Sequence, residues 1–177
     1  EHATQTDYSS YGILKDHPAV VKGKAGSPYA VKDYYDVDPD LAVSVPDRMK
    51  EFQNLVKRTH QQGLKVIIDF IPNHLARQYH SDAAPEGVAD FGANDMKDWY
   101  FSPQNNFYYF PGQSFRGQFD LCAGADEPYE EMPVKVTGND CFSACPSVND
   151  WYETVKLNYG VDYQGCHTEY FDPIPDT

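Results

Sequence analysis

The chain has 177 residues, 41% of them hydrophobic and 23% charged, and its 27 acidic side chains outnumber 14 basic ones to leave a net charge of -13. That charge repels phosphate backbones and anionic lipid surfaces, and no apolar run approaches the roughly 18 residues that a membrane span needs. A nucleic-acid partner and membrane insertion are therefore not expected, whereas 15% aromatic residues suit a core, a protein interface or a neutral sugar.

The sequence opens on Glu1-His2-Ala3-Thr4, without an initiator Met or an apolar leader, and stops at Asp176-Thr177. It is expected to be a segment cut from a larger protein. Residues 1–44 are polar, rich in Tyr and Gly and without periodicity, which predicts a long loop. A helix is predicted next. Ser44 is a candidate N-cap, Pro46 sits in the first turn, Met49, Phe52, Val56 and Thr59 mark one face with Leu55 beside it, and Gly63 stands at the stop position. Lys57, Arg58 and His60 complement the dipole of the last turn.

Leu64 to Ile71 is β-branched and almost continuously apolar, the pattern of a parallel strand covered on both faces. Helix, glycine and strand together form half of a βαβ unit. Asp69 interrupts the run, and a buried carboxylate needs a partner or a task. Residues 75–165 then change to scattered Pro, Gly, Asn and aromatics, with short apolar stretches at 132–137 and 155–163, predicting an irregular insertion of short strands and loops. Its four cysteines, Cys122, Cys141, Cys145 and Cys166, suit two disulfides and an oxidising compartment, extracellular or periplasmic. Free buried thiols and a four-cysteine zinc site are the alternatives.

In parallel α/β folds the chemistry gathers at the carboxyl ends of strands, where Asp69, Asn73 and His74 fall. The stretch Asp69-Phe70-Ile71-Pro72-Asn73-His74 resembles the first signature of the alpha-amylase family of glycoside hydrolases, family thirteen. Gly26 to Tyr35 resembles the loop after that family's second barrel strand, and Thr154-Val155-Lys156-Leu157-Asn158 resembles its fifth signature, near the end of the inserted domain B. The resemblance implies an α/β fold, a partial (β/α)8 TIM barrel with an irregular, β-rich domain B after strand 3. Residues 1–74 then supply the loop after strand 2, helix 2 and strand 3, residues 75–165 domain B, and residues 166–177 the return toward strand 4. A full barrel takes about 250 residues, so this chain is not expected to close one alone.

Roles follow position by position as implications of the resemblance. Tyr29 matches the aromatic that stacks on the sugar where cleavage occurs, and His74 the histidine that hydrogen-bonds that sugar. Asp69 matches a buried positioning carboxylate paired with an arginine on the following strand. Asn73 matches a calcium ligand, but Lys156 stands where another ligand of that ion, an Asp, belongs, and an ammonium cannot coordinate a cation, so calcium is doubtful and no cofactor is needed for the chemistry. Asn158 closes the same signature. Asp120, Asp126 and Asp162 are other acids in reach of an ion, more simply read as a solvated surface.

The family's retaining mechanism uses a nucleophile and an acid/base on later strands, and none can be assigned here. The implied function is part of an enzyme acting on alpha-1,4-glucans, starch or maltooligosaccharides, whose isolated segment is inactive and whose other partner is the remainder of its own barrel. An exo-alpha-glucosidase, transglycosylase or isomerase of the same family, or a catalytically silent carbohydrate-binding relative, are the alternatives. From another class comes a metal-dependent hydrolase with Asp69, His74 and His80 as ligands.

Overall fold

The computed structural model describes residues 1–119 and 125–163. Short 3-10 turns at Ser9–Tyr11, Pro18–Val20, Pro39–Leu41 and Val45–Asp47 punctuate the first quarter, the expected long loop. Helix α1 spans Arg48–Gln61, and four short strands follow: β1, His74–Ala76; β2, Tyr109–Phe110; β3, Val134–Lys135; and β4, Thr154–Lys156. No helix among the described residues is long and apolar enough to cross a membrane.

Helix α1 begins just past a turn that the sequence supplies. Ser44 does not cap it; its hydroxyl donates to Asp47 Oδ2 at 3.0 Å, and the backbone N–H groups of Val43 and Ser44 donate to the Glu51 carboxylate at 2.9 and 2.8 Å instead. Glu51 thus ties the segment ahead of the helix to its first turn and adds negative charge there. At the other end Gly63, with φ of 73°, takes the left-handed conformation that ends helices, and its N–H donates to His60 O at 2.9 Å. The apolar stripe of α1 has no cover: no helix residue is buried, and Leu55 is 51% exposed.

The predicted strand from Leu64 to Ile71 is not a strand among the described residues. The segment is irregular and open to solvent, with Ile67 94% exposed, Asp69 exposed and Phe70 66% exposed. The physical reason is direct: a run apolar on both faces becomes a strand only between two sheet neighbours, and no described segment pairs with it. Tyr34 and Tyr159 hold its end through hydroxyls that donate to the carbonyls of Ile71 and Pro72. Barrel architecture is therefore not visible among the described residues, and the buried charge pair expected of Asp69 is corrected to an exposed carboxylate.

Order resumes at His74. Strand β1 pairs antiparallel with β4, His74 facing Lys156, Leu75 facing Val155 and Ala76 facing Thr154, while β2 pairs antiparallel with β3. The two ribbons are stitched at Val136, whose N–H donates to Tyr108 O and whose carbonyl accepts from Lys156 N at 2.9 Å. Side chains alternate across β1. Leu75 enters a cluster with Phe107, Tyr109 and Val155, and Ala76 packs on the other side against Ala3, Val21 and Ala30 of the opening loop. A third cluster gathers Ala19, Val20, Phe115, Tyr129, Val134, Ala144 and Tyr152.

Arg77 sits between these parts with its side chain fully buried. Its guanidinium donates to Glu131 Oε1 at 2.8 Å, Tyr152 O at 2.6 Å and Thr154 O at 3.1 Å, and lies 4.6 Å from the centroid of Phe115. Tyr129 OH and Lys135 N also donate to Glu131, so the acid that balances Arg77 has its own partners. Removing one member of such a pair strands the other charge. Arg77→Ala is expected to destabilise the chain by about 3–5 kcal/mol in urea unfolding; a loss below about 1 kcal/mol would mean that the pair is dispensable.

Candidate functional site

Because β1 alternates, His74 shares its face with Ala76 and points toward the loop that carries Tyr29. The two side chains line one cavity of about 390 Å³, together with Lys22, Ser27, Trp151, Glu153 and Thr154. Tyr29 is 57% exposed and Trp151 42% exposed, and the Trp151 ring lies 5.2 Å from the imidazole of His74. Flat aromatic faces beside hydrogen-bonding groups in an open cavity are suited to a sugar ring, whose C–H faces stack while its hydroxyls pair.

Gly138 sets how closely the insertion approaches His74. A Cβ there would lie 2.5 Å from Thr154 Oγ1 and 2.8 Å from His74 Cβ, so only glycine fits without displacement. The backbone at Gly138 uses that proximity: its N–H donates to Thr154 Oγ1 at 3.2 Å and its carbonyl accepts from Asn73 Nδ2 at 2.9 Å. The same Asn73 amide lies 3.0 Å from His74 Nδ1, fixing the ring.

Burial lowers the His74 pKa below its ordinary 6.5, the backbone of Tyr29 opposes that shift, and the nearby Lys156 ammonium reinforces it. His74 is therefore a neutral imidazole at pH 7, able to donate at one nitrogen and accept at the other. Lys156 lies across the ribbon from it, with Nζ 2.5 Å from Asp140 Oδ1 and 5.4 Å from the Tyr163 ring. Where the resemblance implies a calcium ligand, Asn73 Nδ2 donates to the Gly138 carbonyl and the Lys156 ammonium pairs with Asp140. Asn158 is structural, donating to Ser102 O at 2.8 Å and accepting from Gly160 N at 2.8 Å.

The structure brings Tyr29 and His74 together, as expected, and leaves Asp69 elsewhere, in a separate groove with Tyr34, Met49, Phe52 and Ile68. His80 is occupied by Asp90, Nδ1 to Oδ2 at 2.7 Å. The only group of three metal-ligating side chains among the described residues is Glu1, Asp33 and Asp82, so Asp69, His74 and His80 do not form the array that a metal-dependent hydrolase would need. Asp126 and Asp162 join no such group either. Cys141 and Cys145 carry free thiols, while Cys122, Cys166 and Asp120 lie outside the described residues. Lys22, Trp151 and Glu153 complete the cavity, and Gly138 backs His74, without a signal in the sequence. They fall outside the recognised motifs, in stretches with no periodicity, and only the folded backbone brings them to His74.

Residues 17–120 match the family model described as alpha amylase, catalytic domain. Over 51 residues, 29% of this chain and 7% of the relative, the sequence is 47% identical to the amino acid transporter heavy chain SLC3A1 of Rattus norvegicus. It is 28% identical to an alpha-glucosidase of Apis mellifera over 97 residues, 51% of this chain and 13% of that protein. A cyclomaltodextrin glucanotransferase of Bacillus licheniformis is 29% identical over 87 residues, 49% of this chain and 11% of the enzyme. The chain thus spans between 7% and 13% of the length of these relatives. No solved structure matches it.

Two outcomes test this geometry. The His74 ring should titrate with a midpoint below 6.5 in an NMR pH series. A depressed folded pKa means that the unfolded chain binds the proton more readily, so this group's contribution to stability is full above 6.5 and is lost as pH falls through the lower, folded value. Gly138→Ala should move the His74 and Trp151 resonances together; unchanged spectra would contradict the close approach.

Proposed function

The chain belongs to the alpha-amylase catalytic-domain family, and from that premise we propose that it forms a sugar-binding wall in a retaining glycoside hydrolase acting on alpha-1,4-glucans. The observation that carries the reading is the meeting of Tyr29, His74 and Trp151 around one open cavity. Tyr29 and Trp151 offer stacking faces to a glucose ring, and the neutral His74 offers a donor and an acceptor to its hydroxyls. Residues 1–74 are read as barrel elements and 75–165 as the domain B insertion. The open apolar segment 64–71 is then a strand that orders only between sheet neighbours, and Asp69 gains a buried partner only in their company.

Hydrolysis by this chain alone is not expected. Retention needs two carboxyl groups about 5–5.5 Å apart across the glycosidic bond. Among the described residues lining the cavity, Glu153 is the single carboxylate, and it lies 3.9 Å from the ammonium of Lys22. A second reading, a family member with a role other than hydrolysis, is favoured by the 47% identity to a protein named as an amino acid transporter heavy chain.

Titrating the chain with maltotriose while following tryptophan fluorescence tests the wall. A saturable change is expected, and Tyr29→Ala should weaken it about 2- to 10-fold, the range of one aromatic contact. No response, or a response indifferent to both Tyr29→Ala and His74→Ala, would overturn the reading. A reducing-sugar assay on the same chain should show no turnover; sustained turnover would refute its proposed inactivity.

A further inference from the structure

One polar pair in the sugar cavity is used neither by the stacking faces nor by His74. Glu153 directly precedes β4, and its carbonyl accepts from Arg77 N at 2.8 Å, which fixes where its side chain starts. That side chain lines the cavity although only 5% of it is exposed, and its Oε2 is buried with no hydrogen-bond partner among the described residues. Lys22 lines the same cavity from the opening loop. Its side chain is 47% exposed, and Nζ stands 3.9 Å from Glu153 Oε1.

A dry carboxylate needs a balancing charge and also donors for its lone pairs. Lys22 supplies the charge, but 3.9 Å is too long for a hydrogen bond. What Glu153 lacks is therefore a neutral donor rather than a second cation. The last torsion of a glutamate is broad and two-fold, so a turn of the carboxylate offers either oxygen to the cavity while the backbone stays in place.

We propose that Glu153 and Lys22 together grip two adjacent hydroxyls of one glucose ring, Glu153 accepting from the first and Lys22 donating to the second. The proposal rests on the sugar reading above and adds which part of the ligand is read. In an alpha-1,4 chain the 2- and 3-hydroxyls are the adjacent pair free on every unit, because the 4-hydroxyl is taken up in the linkage and the 6-hydroxyl stands apart. The pair thus selects a glucan unsubstituted at positions 2 and 3. Tyr29 and Trp151 hold a ring by its faces and are indifferent to those positions, whereas a buried acceptor penalises a ligand that leaves its hydrogen bond unmade. Glu153 is in this account a specificity-determining residue.

The test is a fluorescence titration of the whole chain with maltotriose and with maltotrioses deoxygenated at position 2, 3 or 6 of every ring. The 2- or the 3-deoxy sugar should bind about 10- to 100-fold more weakly than maltotriose, the range of a hydrogen bond to a charged group. Glu153→Leu should weaken maltotriose by a similar factor and erase that penalty, leaving any 6-deoxy penalty as it was. Lys22→Met, on a half-exposed side chain, should weaken maltotriose about 2- to 5-fold, and it decides the matter if Glu153→Leu does not fold. Maltotriose binding that Tyr29→Ala weakens but Glu153→Leu and Lys22→Met leave unchanged would overturn this pair alone, and so would equal 2- and 3-deoxy penalties in Glu153→Leu and the unaltered chain. Absence of any response to maltotriose would overturn the sugar reading and this pair with it.

Discussion

One buried guanidinium organises the ordered half of this chain. Arg77 follows β1 directly, and from that position it reaches the carbonyls of Tyr152 and Thr154 at the start of β4 and the carboxylate of Glu131 ahead of β3. With Arg77 N donating to Glu153 O and Arg77 O accepting from Lys135 Nζ, backbone and side chain together fix where the two ribbons meet. Each strand is only two or three residues long, too short to hold register through its own ladder. A planar, permanently charged group with several donors can do what the ladders cannot, because its hydrogen bonds are directional and leaving any of them unmade in a dry site is costly.

That constraint places the sugar-facing residues. Fixing β1 on β4 sets His74 opposite Lys156, which favours the neutral imidazole, and the same register brings Gly138 and Trp151 onto the ring. The pleat does the rest: Ala76 is drawn into the small-residue cluster of the opening loop, and His74, two residues earlier on the same face, comes to the backbone of Tyr29. The cavity is thus assembled from segments far apart in sequence, through packing that does not itself touch a ligand.

Some of this is legible in the sequence and the rest is concealed, for physical reasons. Helix α1 is readable from its turn chemistry, its charge pattern and Gly63, all local signals. The family and the pairing of Tyr29 with His74 are readable because their motifs have fixed spacing. Leu64 to Ile71 misleads, since its composition records what covers it in a complete sheet, and burial cannot be decided without those neighbours. Trp151 and Gly138 lie in loops with no periodicity, and Arg77 is one of 14 basic residues until its surroundings are known. Lys22 and Glu153 are separated by a long stretch of chain, so only the folded backbone shows them together.

Native-state hydrogen exchange tests the role given to Arg77 most directly. The amides of Ala76, Arg77, Val136 and Lys156, each bonded across a different junction, should exchange through one common opening in the unaltered chain. In Arg77→Lys, which keeps the charge but loses the planar fork, all four should lose protection by a similar factor. Loss confined to one of them, or none at all, would contradict the account that a single buried side chain holds the ribbons and the cavity in place.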